Sequence, residues 1–320
     1  MIGSSLNILV TGAFGYLGGR VSENLSLKGH QVTLGGSAPG NTPPHWAPNT
    51  QVVKIPWGND SKLRSLCKEF DVVIHMAGMN SANCALNPLE AIKFNGLETA
   101  RLVQASKLSG VSNFIFFSTV HVYNSPLQGI INENTCTNSI HPYATSNLIG
   151  ENSVLYESDC NHEFYGSVLR LSNVVGSPTH KDANCWSLIV NDLCRQVVEK
   201  KSIIVKSNPL VQRDFIPISR VCSIIPFVLN KNKTVLTNIV SSHPLTLEDI
   251  VRIIVDSSQD VLGLKPKVVF LNKDKLEYRK FVISSNLNSL PVDSDTILLE
   301  IKSEIDQLLL NCKKWFGGQC

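Results

Sequence analysis

Two periods of apolar residues take turns along the first half of the chain. Short apolar runs at Leu6–Val10, Gln31–Leu34, Val52–Ile55 and Asp71–His75 have the length of strands rather than of helices. Between them apolar positions return every three to four residues, as at Leu17, Val21 and Leu25, which predicts helices over Tyr16–Lys28 and Ser61–Phe70. The series continues with a long helix over about Pro88–Ser109, a buried strand over Asn113–Ser118, a helix beginning near Tyr143 and a strand over Phe164–Leu171. Such alternation predicts an α/β fold: a doubly wound parallel sheet covered by helices on both faces, with its ligand crevice at the strands' carboxyl ends. After about residue 175 the rhythm loosens. Helices near Ala183–Lys200, Ser219–Leu229, Thr246–Val261 and Thr296–Trp315 are separated by short strands and Pro/Asn/Lys loops. A first domain over 1–175 and a smaller α/β lid domain over 176–320 are expected.

The first strand runs directly into glycines 12, 15 and 18 and then into the first helix. Gly12 suits a tight turn, Gly15 lets the backbone approach a pyrophosphate, and Gly18 lets the helix pack closely on its strand, so that the N–H groups of the helix start face an anion. A glycine triplet in this strand-to-helix context predicts a Rossmann-type dinucleotide-binding domain. Its Gly-x-x-Gly-x-x-Gly spacing differs from the Gly-x-Gly-x-x-Gly of many dehydrogenases and points to a particular branch of nucleotide binders.

Composition narrows the partners. The chain has 320 residues, 43% of them apolar, enough for one large or two unequal domains. Its 29 basic and 26 acidic residues give a net charge of +3, too small and too scattered for nucleic acid, so a small molecule is the expected partner. Nine cysteines form no Cys-x-x-Cys pair, and they read as reduced thiols rather than a disulfide frame or a metal site. With the first strand beginning within six residues of Met1 and no apolar run approaching ~20 residues, a cytoplasmic protein without a membrane span is expected.

Two distant segments are expected to end at the crevice. In Phe116-Phe-Ser-Thr-Val-His-Val-Tyr123 an apolar strand finishes in hydroxyls and an imidazole, and alternation puts Thr119 and His121 on one side if the extended backbone continues that far. In His141-Pro-Tyr-Ala-Thr-Ser-Asn147, Pro142 suits a helix start that places Tyr143 and Asn147 one turn apart on one face.

With these residues in hand, the chain resembles an extended short-chain dehydrogenase/reductase of the nucleotide-sugar epimerase/dehydratase type, over almost its whole length. The matching residues are Thr11-Gly-Ala-Phe-Gly-Tyr-Leu-Gly18, Asp71-Val-Val-Ile-His-Met-Ala77, Asn95 with Thr99, Ser118-Thr119 ahead of Val122-Tyr123, and Pro142-Tyr143 with Ser146 and Glu151. Leu169-Arg-Leu-Ser-Asn-Val-Val-Gly176 and Arg213-Asp-Phe-Ile216 extend the match. The resemblance implies a nicotinamide cofactor in the first domain, contacted by Gly12, Phe14, Gly15, Tyr16, Leu17, Gly18, Gly36, Ser37, Met76, Ala77, Asn95, Tyr143 and Asn147. It implies a nucleotide-diphospho-sugar against the second, a return of some later segments to the first domain, and a homodimer through the helices starting near Pro88 and Tyr143.

By the same resemblance Thr119 holds the sugar hydroxyl or ketone, Tyr143 moves the proton as hydride passes to or from nicotinamide, and Asn173 and Arg213 hold the nucleotide diphosphate. The family's lysine four residues after the tyrosine is Asn147 here. An amide can donate to a ribose hydroxyl but brings no charge to lower the tyrosine's ordinary pKa of ~10. His121 stands where related dehydratases carry an acidic residue and some epimerases carry a cysteine acid/base. It reads either as an acid/base or as a hydrogen-bonding partner of a neighbouring loop. Val120-His121 in place of an acidic pair argues against a 4,6-dehydratase.

The second strand ends at Gly36-Ser37 without an acidic residue for the ribose hydroxyls, so the cofactor expectation is NAD or NADP, leaning to NADP. The functional expectation is a nucleotide-sugar epimerase or 4-keto-sugar reductase. Asn147 keeps open the alternative of a non-catalytic dinucleotide-binding protein of the same family. No metal is expected.

Overall fold

The computed structural model describes residues 5–38, 40, 42–124, 126–160, 163–230, 233–272, 280–287 and 293–318. The chain opens with β1 (Asn7–Thr11), α1 (Tyr16–Leu27), β2 (Gln31–Gly36), β3 (Gln51–Lys54), α2 (Asp60–Cys67) and β4 (Val72–His75). A short α3 (Ser81–Leu86) precedes a helical run made of α4 (Pro88–Ala91), a π-helical segment (Ile92–Glu98) and α5 (Thr99–Leu108). Next come β5 (Asn113–Thr119), a 3-10 turn (Val120–Val122), β6 (Gly129–Ile131), α6 (Pro142–Asp159), β7 (Tyr165–Leu171) and β8 (Asn173–Val175). The second half adds α7 (Ile189–Lys200), β9 (Ser202–Val205), β10 (Gln212–Arg213), β11 (Phe215–Pro217), α8 (Ile218–Leu229) and β12 (Val235–Ile239). It closes with β13 (Leu245–Thr246), α9 (Leu247–Leu262), β14 (Lys267–Phe270), β15 (Phe281–Ile283) and α10 (Ser294–Phe316).

The chain divides into two compact units. The first takes the residues up to Leu127 together with Thr135–Leu171 and Cys222–Asn238. It holds the seven-stranded sheet, in the order β12-β7-β5-β4-β1-β2-β3. Pairing is parallel from β3 through β7. Parallel strands covered on both faces bury every side chain, which is why Ile8–Val10, Val72–Ile74 and Phe114–Phe116 read as unbroken apolar runs. Phe114, Phe116 and Val168 from the sheet pack with Leu63, Leu102 and Val154 from the helices. The chain leaves β1 for β2 on one side and later returns as β4 on the other, so a switch point opens beside β1's carboxyl end.

The second unit takes Gln128–Asn134, Ser172–Val221 and the residues from Ile239 onward. Its core is helical, with Leu193 and Val197 of α7, Ile250 and Ile254 of α9, and Ile301, Ile305 and Leu308 of α10. Four two-stranded sheets complete it with their neighbours, β10-β13, β11-β8, β14-β9 and β15-β6. Thr246 and Asp249 form a capping box that starts α9.

Two elements differ from the pattern reading. The predicted long helix over Pro88–Ser109 carries the π segment, which Asn95 and Glu98 hold open through side-chain bonds to neighbouring segments. The helix expected from Ala183 begins at Ile189. Residues 183–188 are taken up by local bonds such as Cys185 N to Ala183 O at 2.8 Å, while the Trp186 indole donates to Lys181 O and packs against Trp315 and Phe316. The unit boundary falls between Leu171 and Ser172, and Cys222–Asn238 belongs to the first unit because β12 lies beside β7 in its sheet. Among the described residues no helix is long and apolar enough to cross a membrane, and no cluster of three His, Cys, Asp or Glu is arranged to hold a metal.

Candidate active site

The glycine turn sits where β1 ends. Gly12 has φ +69°, a conformation other residues rarely adopt, and a Cβ there would stand 2.7 Å from Ala77 N. A Cβ on Gly18 would lie 2.2 Å from Gly12 O, so the first turn of α1 rests directly on the turn's backbone. Gly15 is the N-cap of α1, its N–H donates to Gly12 O at 2.9 Å, and the first turn of the helix has neither a side-chain cap nor an acidic residue. A cavity of about 420 Å³ opens in front of this helix start. Gly12, Phe14 and Gly15 line one side; Gly36 and Ser37 from the end of β2 line another; Met76 and Ala77 from the end of β4 close it. Tyr16, Leu17 and Gly18 lie in the helix turn behind. The cavity is backbone-rich and has no carboxylate among its described lining residues, a shape that fits a dinucleotide whose pyrophosphate meets the helix N-terminus.

Thr119 and Tyr143 come together. Thr119 ends β5 and is buried, while α6 begins at Pro142 with His141 Nδ1 accepting the Tyr143 N–H at 3.1 Å. Close packing sets the helix on the strand, since a Cβ on Gly150 of α6 would meet the Phe116 ring at 2.9 Å. Burial pushes the Tyr143 phenol above its ordinary pKa, the nearby Cys84 thiol adds to the rise, and a side-chain hydrogen bond with Thr119 opposes it. Asn147 supplies no relief. Its Nδ2 donates to Tyr143 O at 2.7 Å, so the amide is turned back onto its own helix.

His121 lies beyond the strand. β5 stops at Thr119 because the chain turns there into a 3-10 turn, with the His121 N–H donating to Thr119 Oγ1 at 3.2 Å. The alternation expected to carry His121 onto Thr119's side therefore does not extend to it. His121 is partly exposed on that turn.

Asn95 spends its amide on protein partners. Oδ1 accepts from Met79 N at 2.7 Å, and Nδ2 donates to Met79 O at 3.3 Å and to Ser146 Oγ at 3.2 Å. It thereby links the segment after β4 to α6. Glu98 is buried in the π segment, where its carboxylate accepts from Gly58 N at 2.7 Å and from Arg101 Nη1 at 2.9 Å.

Asn173 and Arg213 lie in the second unit. Asn173 Nδ2 donates to Asp214 O at 3.0 Å. Arg213 is half-buried on β10, its guanidinium has no ion-pair or hydrogen-bond partner among the described residues, and burial pulls its pKa below the ordinary arginine value. The next residue, Asp214, is fully buried and accepts from the Ser241 N–H at 2.9 Å and the Ser241 hydroxyl at 2.6 Å, which fixes the backbone on which Arg213 stands.

Pattern reasoning missed Gly35 and Gly78, which also line the cavity, and Cys84, which approaches Tyr143. The doubled glycine at 35–36 was the available signal for the first. Cys84 gave none, because α3 is too short to show a period.

Residues 8–240 match the model of the NAD dependent epimerase/dehydratase family. A protein of Bacillus subtilis (strain 168) described as an uncharacterized UDP-glucose epimerase is 26% identical over 285 residues, covering 84% of this chain and 86% of its own. Among solved structures, the UDP-glucose 4-epimerase of Thermotoga maritima with UDP-glucose superposes with a TM-score of 0.78 at 18% identity, covering 96% of this chain and 99% of that one. RMD from Pseudomonas aeruginosa complexed with NADPH gives a TM-score of 0.72 at 21% identity, covering 97% and 99%. The two structural matches show a shared fold.

Proposed function

Because this chain belongs to the NAD dependent epimerase/dehydratase family, we propose that it is an NAD(P)-dependent enzyme acting on a nucleotide-activated sugar, as a 4-epimerase or a 4-keto-sugar reductase. The observation that carries the reading is that the Thr119 hydroxyl and the Tyr143 phenol, from the end of β5 and the start of α6, come near enough to interact, in the same unit as the glycine cradle. When bound, the nicotinamide dinucleotide supplies the group that accepts and returns hydride. Gly12, Gly15 and the start of α1 hold its pyrophosphate, and Gly36 and Ser37 receive its adenosine ribose. The absence of a carboxylate at the end of β2 supports NADP over NAD.

In this reading Thr119 holds the oxygen of the sugar hydroxyl or ketone, and Tyr143 removes or returns that oxygen's proton. The phenolate form is needed to accept it, and burial without a neighbouring cation disfavours that form, so turnover increases with pH. His121, on the turn that follows Thr119, is proposed as a second acid/base. Asn173 and the Arg213 guanidinium, which has no partner among the described residues, hold the nucleotide diphosphate, for which a fork of two donors is suited. Exposed Leu89, Ile92 and Leu97 on the helical run after Asn87, with Tyr156 on α6, support a homodimer through these helices. A cytoplasmic location belongs to the same proposal.

The second reading is a non-catalytic dinucleotide-binding protein. It is favoured by the Asn147 amide turned onto the helix carbonyl, which leaves the phenol unassisted. A panel of nucleotide sugars assayed with NAD and NADP, followed by product stereochemistry and cofactor absorbance between pH 7 and 9.5, separates them. Epimerisation without net redox, or stoichiometric NADPH consumption, with loss of turnover in Tyr143→Phe, supports the enzyme. Dinucleotide binding without turnover of any donor supports the second reading. Calorimetry on Gly15→Val tests the cradle itself, and unchanged affinity in a folded variant would sink it.

A further inference from the structure

We infer that His75 and Thr99 are positioning residues that hold the Met76–Gly78 wall of the cavity from behind, an inference that rests on reading the cavity as the dinucleotide site. That wall is one short backbone segment leaving β4. It passes so near the glycine turn that a Cβ on Gly12 would meet Ala77 N at 2.7 Å and Met76 C at 2.8 Å. A shift of the wall by less than an atom's radius therefore changes the gap that a pyrophosphate and its ribose must fill.

The wall is fastened at both ends. At its start His75 is fully buried between two strand and helix partners: Nδ1 pairs with Thr11 Oγ1 at 2.6 Å, and Nε2 pairs with Thr99 Oγ1 at 2.8 Å. Thr11 Oγ1 also accepts from Ala77 N at 3.4 Å, inside the wall. All of these groups are satisfied when the Thr11 hydroxyl donates to Nδ1 and Nε2–H donates to Thr99. The ring lies stacked on Phe116, with centroids 5.6 Å apart, and Trp57 closes on it from 6.0 Å. At the other end, Asn95 binds both the N–H and the carbonyl of Met79. Asn95 and Thr99 are four positions apart on one helical run, so a single rigid element grips both ends of the wall.

None of these side chains lines the cavity, so their effect on a bound dinucleotide passes through the backbone they hold. Thr99→Val removes one hydroxyl at nearly constant volume and leaves His75 without one partner. We expect it to weaken dinucleotide affinity about tenfold, the scale of one lost hydrogen bond. Thr99→Ser restores the hydroxyl and is expected to restore affinity. Ser158→Ala is the control, because it removes buried bonds to Phe164 O and Gly166 N elsewhere in the unit and a purely structural loss there lowers melting temperature alone.

The test is calorimetric titration of NADP and of NAD into the wild type and the three variants, at a temperature where each is folded by circular dichroism. Weakened binding in Thr99→Val, with wild-type binding in Thr99→Ser and Ser158→Ala, supports the inference. Wild-type affinity in Thr99→Val, or equal loss in Thr99→Ser or in Ser158→Ala, overturns it and leaves the cradle reading standing. Should Thr99→Val not fold, Asn95→Asp, which keeps the acceptor for Met79 N but loses the donor to Met79 O, takes its place with the same criterion. Failure of the wild type to bind either dinucleotide overturns the cradle reading and this inference together.

Discussion

Glu151→Gln is expected to destabilise the first unit by about 3–5 kcal/mol, through the cation it leaves behind rather than through the contact it removes. Arg170 Nε lies 3.1 Å from both Glu151 carboxylate oxygens, and Nη2 donates to Oε2 at 2.6 Å. Ser118 Oγ donates to Oε1, and Arg170 Nη1 donates to the Tyr123 hydroxyl at 2.9 Å, which in turn donates to Asn238 at 2.7 Å. Glu151 is 1% and Arg170 5% exposed, so water cannot replace a lost partner. A glutamine amide turns an N–H toward guanidinium donors and leaves the cation uncompensated, whereas Glu151→Gln with Arg170→Met removes both charges. Arg170→Met alone, which strands the carboxylate, is expected to cost about as much as Glu151→Gln, while the double variant is expected to stay within ~1 kcal/mol of wild type, giving a coupling of about 5 kcal/mol or more. Urea-dependent hydrogen exchange in β5 and β7 isolates this sheet from the second unit, whose unfolding need not coincide. Additive losses in the two single variants, or a loss below ~1 kcal/mol in Glu151→Gln, would refute the reasoning. Glu151 stands two turns after Tyr143 on α6, so the same variant is expected to lower turnover while leaving dinucleotide affinity intact.

Asn147→Lys is expected to raise turnover and move the proton-transfer limb of the pH–rate profile downward, because it adds a cation beside a phenol whose pKa burial holds up; lower activity in a folded variant would point to a mechanism peculiar to the asparagine. His121→Gln should retain cofactor and substrate binding and lose something like 10²–10⁴-fold in turnover, with a limb near neutrality disappearing; unchanged turnover reduces His121 to a structural residue. His75, whose pKa burial lowers to about 3 from 6.5, contributes stability fully present above pH 6.5 and lost as pH falls toward about 3. The slope from this one group approaches ~1.4 kcal/mol per pH unit below 6.5, and its ring protons in NMR spectra should show no titration between pH 8 and 5.

The fold was legible in the sequence wherever one local signal sufficed. Gly12 announces a positive φ at the end of a strand, and the apolar runs of a sheet buried on both sides cannot be read as anything longer. The π segment was hidden because an extra residue in a helical turn barely alters a period of three to four over so short a stretch. Thr119 and Tyr143 were found as separate strand and helix ends, but that His121 leaves the strand's alternation depends on a hydroxyl accepting a backbone N–H two residues on, which no hydrophobic pattern encodes. The fastening of the cavity wall was still less visible. Thr11, His75 and Thr99 are brought together only by β1 and β4 being neighbours and by the helical run that follows β4.

The first unit's sheet has its outermost strand, β12, encoded well after β7, beside which it lies. On a ribosome adding about 5–20 residues per second, the outer edge of β7 stays open for roughly three to twelve seconds while the intervening chain is made. During that interval the nascent sheet offers an apolar edge with free N–H and C=O groups, the kind of surface that recruits other strands. The protein's most vulnerable moment is therefore set by gene order, and a synthesis pause placed before the codons of Val235–Ile239 would reduce the yield of active protein without changing a single residue.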